Sequence, residues 1–96
     1  MTQESRLNRF IIRVSKNDAA FIYFQFEANE GLCFFSTMAE SLSQPYRDIQ
    51  VLSPLSVSNE INHLLDYLGQ EIDIQFIEKE VVQDSASLVS SNVKGQ

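Results

Sequence analysis

The feature that most limits what this chain can fold into is a change of apolar period that occurs twice. Within 96 residues, the hydrophobic positions pass from the two-residue repeat of a half-buried strand to helical spacing and back, then do so again. Phe10, Ile12 and Val14 alternate with Arg9, Ile11 and Arg13, which predicts a strand over Arg9 to Val14 with one face in a core. Ser15 stands three residues before Asp18, the spacing at which a hydroxyl takes an orphan amide and a carboxylate faces the positive end of a helix dipole. A helix is therefore expected from Ala19, with Gly31 as its stop.

That first helix is the difficult element, because Phe21, Ile22, Tyr23, Phe24 and Phe26 favour strands by intrinsic preference. Ala20, Phe21, Phe24 and Ala28 match one helical stripe and are expected to face the core. Ile22 and Phe26 then fall off the stripe. With Tyr23 they form an apolar surplus, expected to meet a second chain.

The second half reads more directly. Leu32 to Met38 predicts a buried strand, Ala39 to Arg47 with Pro45 a loop, and Asp48 to Leu52 a strand that makes a hairpin with the one before. Pro54 ends that strand, since proline has no amide for the ladder, and Ser56 or Ser58 is placed to cap the next element. Ile61, Leu64, Leu65 and Leu68 sit at i, i+3, i+4 and i+7, the core stripe of a helix that Gly69 is expected to end. Ile72, Ile74 and Phe76 alternate with Asp73 and Gln75 as a last strand that runs toward Val82.

Strand, helix, strand, strand, helix, strand, joined by right-handed crossovers, gives an α+β sandwich. It has a four-stranded antiparallel sheet with both helices on one face, the ferredoxin-like βαββαβ arrangement. One domain over 9–82 is expected. A flexible N-terminus over 1–8 and a disordered tail over 83–96, rich in serine and without a sustained apolar period, flank it.

In element order and size the chain resembles the ACT and ACT-like regulatory domains. The stretch from Asn17 to Thr37, with Glu27-Ala28-Asn29-Glu30-Gly31-Leu32 and Phe35-Ser36-Thr37, is similar to a small bacterial domain family of this fold that has no established activity. The resemblance covers Arg9 to Ile77. It implies the fold and pairing through sheet edges or helices; the loop to compare for an effector site is the one after the first strand. In ACT domains that bind amino acids this loop carries a glycine. Here the loop is Ser15-Lys16-Asn17-Asp18, which departs from that pattern.

Composition narrows the chemistry. Seven basic against thirteen acidic residues give a net charge of −6, a field that repels a phosphate backbone, so nucleic acid is not an expected partner. A base-stacking sheet would also need exposed aromatics, where Ile11, Gln50, Asp73 and Gln75 are expected instead. A lone cysteine, Cys33, makes neither an intrachain disulfide nor a cysteine metal site, and its apolar neighbours predict a buried hydrophobe. With apolar runs too short for a membrane span or a signal sequence, the chain reads as cytoplasmic.

Five side chains are candidates for ligand binding: Lys16, Asn17 and Asp18 in the loop, and Arg9 and Arg13 on the outer face of the first strand, about 13 Å apart at about 3.3 Å per residue. Salt bridges from these arginines to Asp48 or Asp73 are the competing expectation. His63, the single histidine, shares a helix face with Glu60 and Tyr67 and lacks a second histidine or nucleophile. Glu27, Glu30 and Glu40 lack the looped oxygen series of a calcium site. No catalytic residue, metal or cofactor is expected. The reading is a non-enzymatic module that acts by self-association, as a homodimer, or by binding a protein partner; the alternative is an ACT-like sensor of a small metabolite.

Overall fold

The computed structural model describes residues 6–83. Along the chain run β1 (Arg6–Ser15), a 3₁₀ turn (Lys16–Asp18), α1 (Ala19–Ala28), β2 (Phe34–Thr37), a 3₁₀ turn (Ala39–Ser41), β3 (Tyr46–Pro54), a 3₁₀ turn (Leu55–Val57), α2 (Ser58–Glu71) and β4 (Gln75–Gln83). The four strands form one antiparallel sheet in the order β2-β3-β1-β4, and the expected ferredoxin-like α+β arrangement is present.

Register explains how the two faces divide. Cross-strand partners project to the same side, so Phe10, Ile12 and Val14 of β1 share a face with Val51 and Ile49 of β3. All five are buried, in one cluster with Ile22 and Phe26 of α1 and Ile61, Leu65 and Leu68 of α2. Both helices therefore cover the same side of the sheet. Ser53, on this face and fully buried, donates its hydroxyl to the Leu32 carbonyl at 2.9 Å, which ties the turn after α1 to β3.

β1 begins at Arg6, so Leu7 and Asn8 belong to the sheet and not to a flexible N-terminus. They pair with β3 and β4, and Asn8 Nδ2 donates to Ser58 Oγ at 2.9 Å. Gln83 likewise ends β4, and the expected tail lies, from 84 onward, outside the described residues. α2 runs through Gly69 to Glu71, because a helical glycine weakens a turn without breaking it. Ser58 does not cap α2; its hydroxyl donates to the Leu55 carbonyl at 2.7 Å. Ser15 accepts from the Asp18 amide and so caps the 3₁₀ turn that leads into α1, while α1 itself has no side-chain cap. Gly31, with φ of 92°, lets the chain leave α1 in a conformation that other residues adopt only under strain.

α1 is helical, as expected, but rotated from the expected face. Ala19, Ile22 and Phe26, at i, i+3 and i+7, are its buried residues; of the expected stripe Phe21 packs partly buried against the core, whereas Phe24 is 65% exposed and Ala20 and Ala28 are exposed. Apolar residues surround this helix, so several stripes satisfy the period equally well. The sheet selects the one led by Ile22 and Phe26, which join Ile12 and Ile49 in the core cluster, the Phe26 ring centre 5.3 Å from that of Phe35. The placement of Ile22 and Phe26 at an interface is therefore corrected: with 0% and 1% exposure neither has surface to offer another chain. Tyr23 is half-buried, its hydroxyl bonded to that of Thr37 and its ring stacked 5.8 Å from Phe35.

Ile22→Ala is expected to lower the unfolding free energy by about 2–5 kcal/mol, the cost of a core cavity. Phe24→Ala should change it by less than about 0.5 kcal/mol, as for an exposed side chain. Urea denaturation of the two variants checks the helix rotation, and the reverse ranking would show that the other face is buried.

Candidate functional site

The sheet face turned away from the helices carries the two arginines singled out in the sequence. Residues of this face, read from the register, are Leu7, Arg9, Ile11 and Arg13 of β1, Pro54, Leu52, Gln50, Asp48 and Tyr46 of β3, Phe34 and Ser36 of β2, and Val82, Glu80, Glu78 and Gln75 of β4. Both arginines are already engaged. Arg13 donates from Nε and Nη2 to the two oxygens of Asp48, at 2.7 and 2.9 Å, the bidentate geometry a guanidinium is shaped for. It also lies 3.9 Å from the centre of the Tyr46 ring, within cation–π range.

Arg9 donates to Gln50 at 2.8 Å, to Glu80 at 2.6 Å and to Glu78. Gln50 and Glu78 are the cross-strand partners of Ile11 on its two sides. A guanidinium bonded to both therefore spans Ile11, which explains why this isoleucine, on the face without helices, is only 5% exposed. The hydrogen bond to Glu78 is the largest cause, and that to Glu80 a further one, holding the Arg9 pKa above its ordinary value. For Arg13 the hydrogen bond to Asp48 comes first. The competing expectation of a salt bridge holds for Arg13 with Asp48. For Arg9 the partners are Glu78 and Glu80, because the last strand lies beside β1 with these glutamates on the outer face.

Lys16, Asn17 and Asp18 form the exposed turn after β1, at the same end of the strand as Arg13, while Arg9 is four residues away. The turn is fixed by the Lys16 amide donating to the Pro45 carbonyl at 2.9 Å and by Ser15 against Asp18. Beside it, Arg13, Val14, Ser15, Tyr46, Asp73, Ile74 and Gln75 surround an open depression of about 590 Å³. Arg13 is the one expected ligand residue that lines it.

His63 is exposed on α2 and, with Glu60, Leu64 and Tyr67, borders a wider depression of about 800 Å³ whose other wall is Ala28 to Leu32. Sequence spacing put the three α2 residues on one face but carried no signal that this face lies against the end of α1. Of the acidic trio, only Glu30 reaches it. Among the described residues no group of three or more His, Cys, Asp or Glu side chains is placed to hold a metal ion, and every buried side-chain nitrogen or oxygen has a hydrogen-bond partner. No helix among them is long and apolar enough to cross a membrane.

Two aromatics on the outer face are additions to the candidates drawn from the sequence. Phe34, 73% exposed, projects from β2 beside Leu52, and Tyr46 lies under Arg13. The alternation Phe34-Phe35-Ser36-Thr37 carried the first signal, since only one of two adjacent phenylalanines in a strand faces the core. Compared with models of protein families, with curated proteins and with solved structures, the chain matches none.

Cys33 belongs to the core, and burial pushes its thiol up to about 11 from an ordinary 9.0. The unfolded chain releases this proton near pH 9, while the folded chain keeps it to about pH 11. Above pH 9 the unfolded state thus binds fewer protons, and stability falls as pH rises through that window. Urea midpoints measured from pH 8 to 11 should decline more steeply for the native chain than for Cys33→Ala. Parallel curves would mean that the thiol is accessible when the chain is folded.

Proposed function

We propose that this chain is a non-enzymatic module that acts by binding another polypeptide, with the contact surface on the sheet and not on α1. The observation that carries this reading is the chemistry of the outer sheet face. Its arginines are neutralised by acids of the same face and its central isoleucine is covered, so its charge is spent internally. At one end Phe34, Leu52, Pro54, Leu7 and Val82 continue from strand to strand as an apolar strip. A strip of this kind rimmed by polar residues is the ordinary composition of a protein contact. Catalysis has no comparable support, since His63 and Cys33 lie apart, one exposed on α2 and the other in the core.

A second reading, a sensor of a small metabolite, rests on the depression between Arg13, Tyr46 and Asp73. Arg13 there offers a guanidinium edge and Asp73 a carboxylate, groups of opposite sign suited to an amino acid.

The two readings separate in a thermal-shift panel of amino acids and nucleotides, because a ligand of the folded state raises the melting temperature by mass action. The association module predicts no shift from any member at millimolar concentration. A rise that Arg13→Ala or Asp73→Asn abolishes would replace it with the sensor.

A further inference from the structure

We infer that the depression between the end of α1 and α2 is a binding site for a linear aliphatic amine that carries two or more ammonium groups and no carboxylate. It lies on the helix side of the sheet, away from Phe34 and the outer face, so it stands independently of the association reading.

Charge is distributed unevenly over the chain. α1, α2 and the turn from Asn29 to Cys33 hold Glu27, Glu30, Glu60, Asp66 and Glu71 and no lysine or arginine. Four basic side chains elsewhere are already engaged: Arg9 and Arg13 with acids of the outer face, Arg47 with the carbonyls of Ser41, Gln44 and Tyr46, and Lys79 over the Phe10 ring. Asp48, Glu78 and Glu80 each have a guanidinium partner. Glu30 and Glu60, by contrast, have neither a hydrogen bond nor an ion pair among the described residues, and both border one hollow of about 800 Å³ from separate elements.

The walls suit an ammonium on a methylene chain in further ways. The last carbonyls of a helix lack intrahelical donors and carry partial negative charge, and the end of α1, from Ala28, forms one wall. On the other, Tyr67 is 48% exposed and brings an aromatic ring, which attracts a cation to its face. His63 adds a ring nitrogen that accepts from an ammonium when the imidazole is neutral. Leu32 and Leu64, half-buried with one on each wall, give methylene groups apolar surface to lie on, as the stem of a lysine does.

Spacing selects the ligand class. Glu60, Leu64 and Tyr67 stand at i, i+4 and i+7 along α2, so this wall is about 10 Å long at about 1.5 Å per residue, with its polar groups spread along it. A divalent metal ion needs its oxygens gathered at one point, and no group of three or more His, Cys, Asp or Glu side chains is so placed among the described residues. A phosphate, or the carboxylate of an amino acid, meets repulsion from Glu30 and Glu60. An extended amine whose charges are separated by methylenes meets neither obstacle.

Titration calorimetry of the full chain with spermidine, at about 0.15 M salt so that diffuse attraction is screened, tests the site. Glu30→Gln and Glu60→Gln should each weaken binding at least about threefold, the scale of an exposed charge pair, and Tyr67→Ala by a similar factor. Asp66→Asn, on α2 but outside the depression, removes the same unit of charge and should leave the affinity unchanged. Circular dichroism melts establish that each variant is folded. Amide shifts in NMR spectra of the native chain should fall on Glu30 to Leu32 and Glu60 to Tyr67. 1,5-Diaminopentane should bind more tightly than lysine, from which it differs by one carboxylate; the reverse order overturns the ligand class. Equal weakening by Asp66→Asn and Glu60→Gln reduces the effect to general attraction between a polyamine and an acidic chain, and overturns the site. Shifts centred elsewhere, or no saturable binding at millimolar spermidine, overturn it too.

Discussion

The structure depends on β1 being enclosed on four sides. It is paired with β3 along one edge and with β4 along the other. Its Phe10, Ile12 and Val14 are sealed by the helices, and its Ile11 is sealed by the Arg9 guanidinium. Every backbone hydrogen-bonding group in the middle of the strand thus has a ladder to join, and its apolar side chains leave water on both faces. For a chain of this size, which buries only about 60–65% of its unfolded surface, one strand with no wasted face is a large share of the core.

The arginine cover has a physical consequence for the face it lies on. An exposed ion pair contributes at most about 1 kcal/mol, so the Arg9 bonds to Glu78 and Glu80 are not the main source of stability there. The gain lies in keeping Ile11 from water, through the aliphatic stem and the flat guanidinium that a charged side chain can lay over apolar surface. Arg13 stands on Tyr46 in the same manner. Both arginines in β1 therefore act as covers as much as charges, and an anion would have to displace carboxylates already seated in bidentate or shared geometry.

Much of this was legible in the chain and some was not, for identifiable reasons. α2 was plain because Ile61, Leu64, Leu65 and Leu68 are apolar in an otherwise polar segment, so a single stripe exists. α1 is apolar on nearly every side, and its pattern names a helix without naming its face; Phe21 packs against the core as expected, and the choice of Ile22 and Phe26 over Phe24 is made by the shape of the sheet below. Arg13 with Asp48 was accessible because both strands were recognised. The Arg9 partners were not, since Glu78 and Glu80 reach the outer face only through the register shift between Ile11 and Ile12, where Ile77 is an extra residue. A bulge of one residue inverts the facing of everything beyond it, and nothing in the local sequence of β4 announces it.

That bulge also bears on how the sheet ends. A long regular edge strand invites another strand to pair with it. β4 is long, with Phe76, Ile77 and Val81 between 44% and 53% exposed, and would be open to such pairing if regular. The bulge at Ile77 twists its ladder, and Glu78, Lys79 and Glu80 put charge at the centre of the edge. At the other side β2 is only four residues long. The two edges are protected by different means, one by charge and irregularity and the other by brevity, while the outer face has neither device at its Phe34 and Leu52 end. When edges are guarded and a face is not, contact through the face needs no free backbone groups, and Phe34, 73% exposed, is the apolar side chain that this face leaves open.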